Sequence, residues 1–223
     1  MKIIQPYVVI ETEVDGAAIL KRIEKYGRTC YKSEDKITDT SAEAFVRKIL
    51  DPSKKHESVL EHESISVRFI IDRGVSHEMV RHRLCAFSQE STRYCNYSKE
   101  KFGNTVVFIQ PPWLNTEKLQ ARWEVAMQDA EDGYLNMIEL GASPQIARGV
   151  LPNSLKTEIV VTANLREWRH IFTMRTALAA HPQMRQVMCP LLRRIKSLVP
   201  VVFDDVGYVT LPEDIREAEV TTL

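Results

Sequence analysis

The sequence predicts an α+β fold, and three observations carry that prediction. Stretches with a period of two alternate irregularly with stretches of helical period, and no run of regular βαβ units appears, so a doubly wound sheet is disfavoured. The eight glycines stand far apart, at 16, 27, 74, 103, 133, 141, 149 and 207, which leaves no GxGxxG or Walker loop for a dinucleotide or phosphate to sit on. No repeat, low-complexity run or long linker divides the 223 residues, so the expectation is one domain spanning 1–223.

Each element has its own justification. Tyr7 to Val14 reads as a strand, and Asp15 to Tyr26 as a helix with Ala17, Leu20 and Ile23 on one face. A second helix begins near Ser41, carries Phe45, Val46, Ile49 and Leu50, and ends before Asp51 and Pro52. Ile65, Val67, Phe69 and Ile71 alternate with Ser66, Arg68 and Ile70 as in a half-buried strand closed by Gly74. Ser76 to about Phe87 is expected to be a helix with Arg81 and His82 just past its middle, followed by a loop from Ser88 to Tyr97. Thr105 to Gln110 is a β-branched strand stopped by Pro111 and Pro112. Asn115 is expected to cap a long helix bearing Leu119, Trp123, Ala126, Ala130, Tyr134 and Ile138, with Gly141 ending it. Ser143 and Pro144 open another helix. Thr157 to Ala163 is strand-like, Asn164 opens a helix carrying Arg166, Trp168, His170 and Phe172, and a last helix from Pro182 towards Leu198 is expected to kink at Pro190.

Composition narrows the function. With 44% hydrophobic residues the chain can bury a full core. Thirty basic residues balance thirty acidic ones, so there is no footprint for sequence-independent binding to nucleic acid or to an anionic membrane. The N-terminal segment has no signal-peptide pattern, and no apolar run approaches the roughly 20 residues of a membrane span. Cys30, Cys85, Cys95 and Cys189 fall into no CxxC pair and no disulfide or zinc spacing, as expected of free thiols in a cytoplasmic protein.

Against this neutral background the segment RHRLCAFSQESTRY stands out, with Arg81, His82, Arg83, Ser91, Arg93 and Tyr94 within fourteen positions. Arginine forks grip phosphate through paired charge-assisted hydrogen bonds of roughly 1.5–3 kcal/mol each, so the cluster is a candidate nucleotide-phosphate site. An arginine-rich segment taken alone is more often a salt-bridged surface, and the recurrence of Arg148, Asn164, Arg166, His170 and Arg175 downstream shifts the balance. Ser91 as a nucleophile would need an adjacent base and an orienting partner. Cys189, before Pro190 on an apolar face, reads as a buried thiol. His56, Glu57, Glu61 and His62 suggest a zinc-protease motif, but the histidines are six apart rather than four.

The motif Arg81-His82-Arg83, seven residues, Ser91, then Arg93 and Tyr94 resembles the signature of the flavin-dependent thymidylate synthases. Flanking segments extend the resemblance from about residue 56 to 185: His56, Glu57, Ser58, Glu61 and His62 upstream, then Arg148, Leu151 and Pro152, then Asn164, Arg166, His170 and Arg175. The resemblance implies a sheet, mixed or antiparallel, flanked by helices, in a homotetramer whose sites are shared between subunits. It implies reductive methylation of dUMP to dTMP, with 5,10-methylenetetrahydrofolate as carbon donor, reduced FAD as hydride donor, NADPH as reductant and no metal. Ser58, Arg81, His82, Arg83, Gln89, Asn164, Arg166 and His170 match FAD-contacting positions. Glu78, Met79, Val80, Arg81, Gln89, Glu90, Ser91, Thr92, Arg93, Arg148 and Arg175 match dUMP-contacting positions, and Arg175 matches the arginine that activates the uracil at ring nitrogen 3.

The chain departs from the family at Ser88 and Gln89, where Asn and Glu are common. Gln89 keeps an acceptor, gains donors and loses the charge, and Glu90 is expected to point elsewhere. At about 100° per residue His170 lies about 40° from Arg166 and Arg175 about 180° from it, so Arg175 is expected to serve a different ligand or a different copy of the site. Two rival readings use the same residues: a nucleotide sensor without turnover, favoured by Gln89, and a metal-dependent hydrolase built on His56 and His62.

Overall fold

The structure is a computed structural model that describes residues 1–54 and 56–223. A five-stranded sheet organises it, in the order β4 (Ala86–Gln89), β6 (Lys156–Asn164), β3 (Ser64–Asp72), β2 (Tyr7–Ile10) and β7 (Glu219–Thr222). All neighbours are antiparallel except β2 and β7, so the sheet is mixed, as expected. Ile65, Val67, Phe69 and Ile71 alternate with Ser66 and Arg68 on β3, which puts the branched and aromatic side chains on one face. The helices α1 (Gly16–Thr29), α2 (Ser41–Ile49), α6 (Leu165–Arg175) and α7 (Pro182–Leu198) contribute the rest of that core. Trp168 and Phe172 stack at 5.5 Å between ring centroids, Trp168 lies 6.4 Å from Phe69, and the indole N–H donates to the Ile65 carbonyl at 3.0 Å. Each such buried side chain contributes roughly 1.5–3 kcal/mol, and together they fix α6 against the sheet. On the opposite face Arg68 pairs with Glu11 and Glu158.

A second apolar cluster lies under α4 (Glu117–Glu139) and α5 (Pro144–Ala147), built from Tyr97, Phe108, Met127, Tyr134 and Leu155. There β1 (Lys2–Ile4) and β5 (Val107–Ile109) pair in parallel. Buried Glu131 accepts from Thr105 Oγ1 at 2.8 Å and from the Val106 amide at 2.7 Å, tying α4 to the start of β5.

Several expectations need correction. The helix expected from Ser76 to Phe87 is α3 (Arg73–Met79), because the Asp72 side chain accepts from the Val75 amide at 2.7 Å and starts it earlier. It tightens at its end through Arg81 N–H to the Glu78 carbonyl and His82 N–H to the Met79 carbonyl. Arg81 and His82 therefore lie beyond the helix, and Ala86 to Gln89, including the expected loop residues Ser88 and Gln89, form edge strand β4. Gly74 lies inside α3 rather than closing β3.

On α1 the buried residues are Gly16, Ile19, Leu20, Ile23, Glu24 and Gly27, and Ala17 is exposed, because it lies about 100° round the helix from Gly16. A Cβ at Gly16 would collide with the Leu198 carbonyl oxygen, so glycine lets α1 approach the end of α7. The cap of α4 is Thr116, not Asn115; Tyr134 is buried and Trp123, Ala130 and Ile138 pack beside it as expected, but Leu119 and Ala126 are exposed and Met127 and Glu131 are buried instead. Gly141, at φ +92°, ends it as expected, with its N–H on the Ile138 carbonyl and Ala142 N–H on that of Met137. Strand β2 stops at Ile10, four residues short of Val14, and β5 is confined to Val107–Ile109. Helix α7 runs on through the buried Pro190. β1 and β7 went unpredicted: each is short and depends on a partner distant in the chain.

Candidate active site

The site is built where α3 ends and α6 lies beside it. Asn164 caps α6 by accepting the Glu167 amide on its Oδ1 at 2.8 Å, which sets the helix in register with the end of β6. From that start the helix distributes its polar side chains around the axis. Arg166 donates to Glu61 at 2.5 Å and lies 3.9 Å from Glu57. On the other side Arg175 Nη1 donates to Glu78 Oε2 at 2.7 Å, Nη2 to the Glu78 carbonyl at 3.0 Å, and Nε to His82 Nε2 at 2.9 Å. The unbroken helix thus keeps Arg175 away from the partners of Arg166, as its spacing predicts.

His82 is the buried member of the Arg-His-Arg triplet, 4% exposed, while Arg81 and Arg83 face outward and make no ion pair among the described residues. Burial, then the Arg175 charge, then His170 push the His82 imidazole down to about 4, so it is neutral at physiological pH. Its ring lies 5.9 Å from that of His170, edge to face. Beside both is Glu167, a buried carboxylate that burial pushes above its ordinary value, against the opposing effect of His170. No motif pointed to Glu167; its only sequence signal is a position three residues from both Asn164 and His170 on the same helix.

Two cavities lie near these residues. One of about 710 Å³ is lined by Asn164, Arg166, His170, Glu167, Glu57 and Leu84, and so brings three of the expected flavin-contacting residues together. Ser58, another of them, lines a separate cavity of about 740 Å³ with His56, Phe45 and Lys48 between α1 and α2. The expected dUMP-contacting residues also divide. Glu78 and Arg175 form one group, with Met79 buried behind them and Val80 exposed. Arg148 Nη1 donates to Thr92 Oγ1 at 3.1 Å, and Arg93 reaches Gln145 at 3.5 Å, forming another group.

Gln89 is a donor here: its Nε2 lies 2.9 Å from Ser76 Oγ and 3.2 Å from Thr157 Oγ1. The Ser76 hydroxyl is already spent on the Arg73 carbonyl at 3.0 Å, so it must accept from position 89. An amide suits that position; a carboxylate there would require Ser76 to turn away from Arg73. Glu90 points elsewhere, as expected, accepting from Lys156 at 2.7 Å and Tyr97 at 2.9 Å.

The alternative chemistries lose ground. Ser91 Oγ accepts the Arg93 amide at 3.4 Å, and among the described residues no base lies within hydrogen-bond distance of it. Burial pushes the Cys189 thiol up to about 11 and Cys85 up to about 12, leaving both protonated. Glu57 and Glu61 are occupied by Arg166 and Arg169, and His62 packs on Tyr26 at 5.0 Å. Among the described residues the one metal-capable cluster is His82, Glu167 and His170, not the histidines at 56 and 62.

A family model described as thymidylate synthase complementing protein matches residues 15–201. A flavin-dependent thymidylate synthase from Geobacter sulfurreducens is 36% identical over 188 residues, covering 81% of this chain and 78% of the relative. One from Mycolicibacterium gilvum is 35% identical over 227 residues, covering 93% and 87%. Among solved structures, a UMP/dUMP methylase from Streptomyces cacaoi bound with 5-Br dUMP superposes with TM-score 0.75 at 20% identity, over 92% of this chain and 96% of that one. The Helicobacter pylori flavin-dependent thymidylate synthase complexed with FAD and dUMP gives 0.70 at 20% identity, over 90% and 99%. At such identities the two structures establish a shared fold.

Proposed function

The chain belongs to the thymidylate synthase complementing protein family, the flavin-dependent thymidylate synthases, and on that premise we propose that it methylates dUMP reductively to dTMP. The observation that carries the reading is the anchoring of Arg175 by Glu78 and His82, whose ring lies 5.9 Å from that of His170 in the cavity that Asn164 and Arg166 also line. A guanidinium held at three points needs no reorganisation to stabilise negative charge developing on a uracil ring nitrogen.

The residues present fit FAD. Arg81 and Arg83, either side of His82, are exposed and uncompensated by carboxylates among the described residues, which suits a diphosphate. Asn164, Arg166 and His170 would hold the cofactor along the cavity, with Ser58 of this or another copy completing the site. Bound FAD supplies the hydride, with NADPH as the reductant and 5,10-methylenetetrahydrofolate as the carbon donor. Arg93, Thr92 and Arg148, with the turn at Ser91, would take the nucleotide phosphate, and Arg175 the base.

A homotetramer belongs to the same reading. Leu84, which lines the cavity, is 77% exposed, and Met174 and Leu178, on either side of Arg175 in the sequence, are 47% and 71% exposed; such apolar side chains suit a subunit interface. The division of the expected contacts between separate cavities also suits a site assembled from more than one copy. Location in the cytoplasm, in one domain spanning 1–223, without nucleic-acid or membrane partners, completes the proposal; no helix of the described residues is long and apolar enough to cross a membrane.

The protein as purified is expected to retain flavin visible in its absorption spectrum, and His170→Ala to retain markedly less at equal fold content. Wild-type protein that neither carries nor takes up FAD would overturn the assignment.

A further inference from the structure

An arginine Nε is always protonated and can only donate. Since Arg175 Nε lies 2.9 Å from His82 Nε2, that ring nitrogen must present its lone pair. The imidazole is neutral, so its single proton sits on Nδ1. Facing Nδ1 is Glu167 Oε1, at 3.7 Å. This is too long for a direct hydrogen bond but close enough for a strong electrostatic effect in a buried setting.

Glu167 also borders the cavity beside His170. Its side chain is 8% exposed, and among the described residues no donor reaches its carboxylate within hydrogen-bond distance. A buried carboxylate without a donor is costly to keep. Placed beside Nδ1, its negative charge favours the tautomer that the Arg175 contact needs. The other tautomer would set a ring N–H against the Arg175 N–H. The same proton bears on the cluster of His82, Glu167 and His170, whose ligand atoms lie within 4.8 Å of one another. A cation bound at Nδ1 would first have to displace that proton and reverse the tautomer.

We propose that Glu167 is a positioning residue: it holds His82 in the Nδ1–H form, so that Nε2 accepts from Arg175 and fixes the guanidinium together with Glu78. The inference rests on the reading of Arg175 as the group that activates the uracil.

The test is a long-range nitrogen–proton correlation spectrum of 15N-histidine-labelled protein, with the His82 signals assigned by their loss in His82→Gln. Wild-type protein should show the Nδ1–H tautomer. Glu167→Ala should shift His82 towards Nε2–H and lower kcat, measured per bound flavin, by about tenfold. Glu167→Gln, which keeps the shape and loses the charge, should shift the tautomer in the same direction and lower the rate to a smaller extent. Should the alanine variant fail to fold, the wild-type tautomer and the glutamine variant still decide. An Nε2–H signal in active wild type, or a Glu167→Ala protein with wild-type tautomer and rate, overturns the inference alone. Protein that shows Nδ1–H yet forms no dTMP overturns the reading of Arg175 and, with it, the role given to Glu167.

Discussion

Arg175 is held by two side chains and one carbonyl, and removing it should separate chemistry from cofactor binding. Arg175→Ala is expected to lose about 10²–10³ in kcat while keeping its flavin, measured as dTMP formed per bound FAD. Full activity in that variant would contradict the assignment. His82 makes a different prediction, through stability. Its folded-state value of about 4 lies below the ordinary 6.5, so between those values the unfolded chain takes up a proton that the folded protein refuses. Stability therefore falls as pH falls through that window, by no more than about 3 kcal/mol. Urea melts at about pH 7 and about pH 4.5 should show a larger loss for wild type than for His82→Gln. Glu167 and Asp72, both pushed up by burial, act in the opposite sense, and the comparison between variants removes most of their effect. The motif arginines and His82 were legible in the sequence because residue type and spacing carry them. Glu167 was not, because what singles it out is a contact between α6 and the turn after α3, from residues 85 positions apart.

Helix α6 carries Asn164, Arg166, Glu167, His170 and Arg175, and its start controls where all of them lie. Asn164→Ala removes the acceptor for the Glu167 amide and is expected to cost about 1 kcal/mol of stability, whereas Asn164→Asp should keep the cap. Chemical denaturation of the two variants checks this; equal stability would mean that the cap is replaced by water. This helix was readable because its Asn cap and its apolar pattern of Trp168 and Phe172 agree. The segment from Arg73 to Gln89 was not. Its helix is short, started by Asp72 from within a sequence that reads as strand, and β4 becomes a strand by pairing with β6 rather than by any period of its own. The sequence placed Arg81 and His82 in mid-helix, while the turn beyond α3 is what lets His82 fold inward to meet Arg175.

Across the whole molecule, β3 and β6 were legible because their alternation reflects a sheet covered on one face, and the α+β class followed from them. Strand β7 pairs with β2 across most of the chain's length, and β1 with β5 across about a hundred residues, so neither had a local signature. The same distinction separates what one chain shows of the site from what it divides. Arg175, His82 and Glu78 come together, while Ser58 lies in another cavity, as suits a site completed by further copies. The proposed homotetramer predicts a mass in solution of four 25.6 kDa chains, and a monomer mass would contradict it. The account stands most directly on one measurement: dTMP formed from dUMP, 5,10-methylenetetrahydrofolate and NADPH by protein first stripped of flavin, with and without FAD added back. Product that appears only with FAD is the predicted result. No product in either case, from protein that binds both FAD and dUMP, would contradict it and favour a sensor of the same ligands.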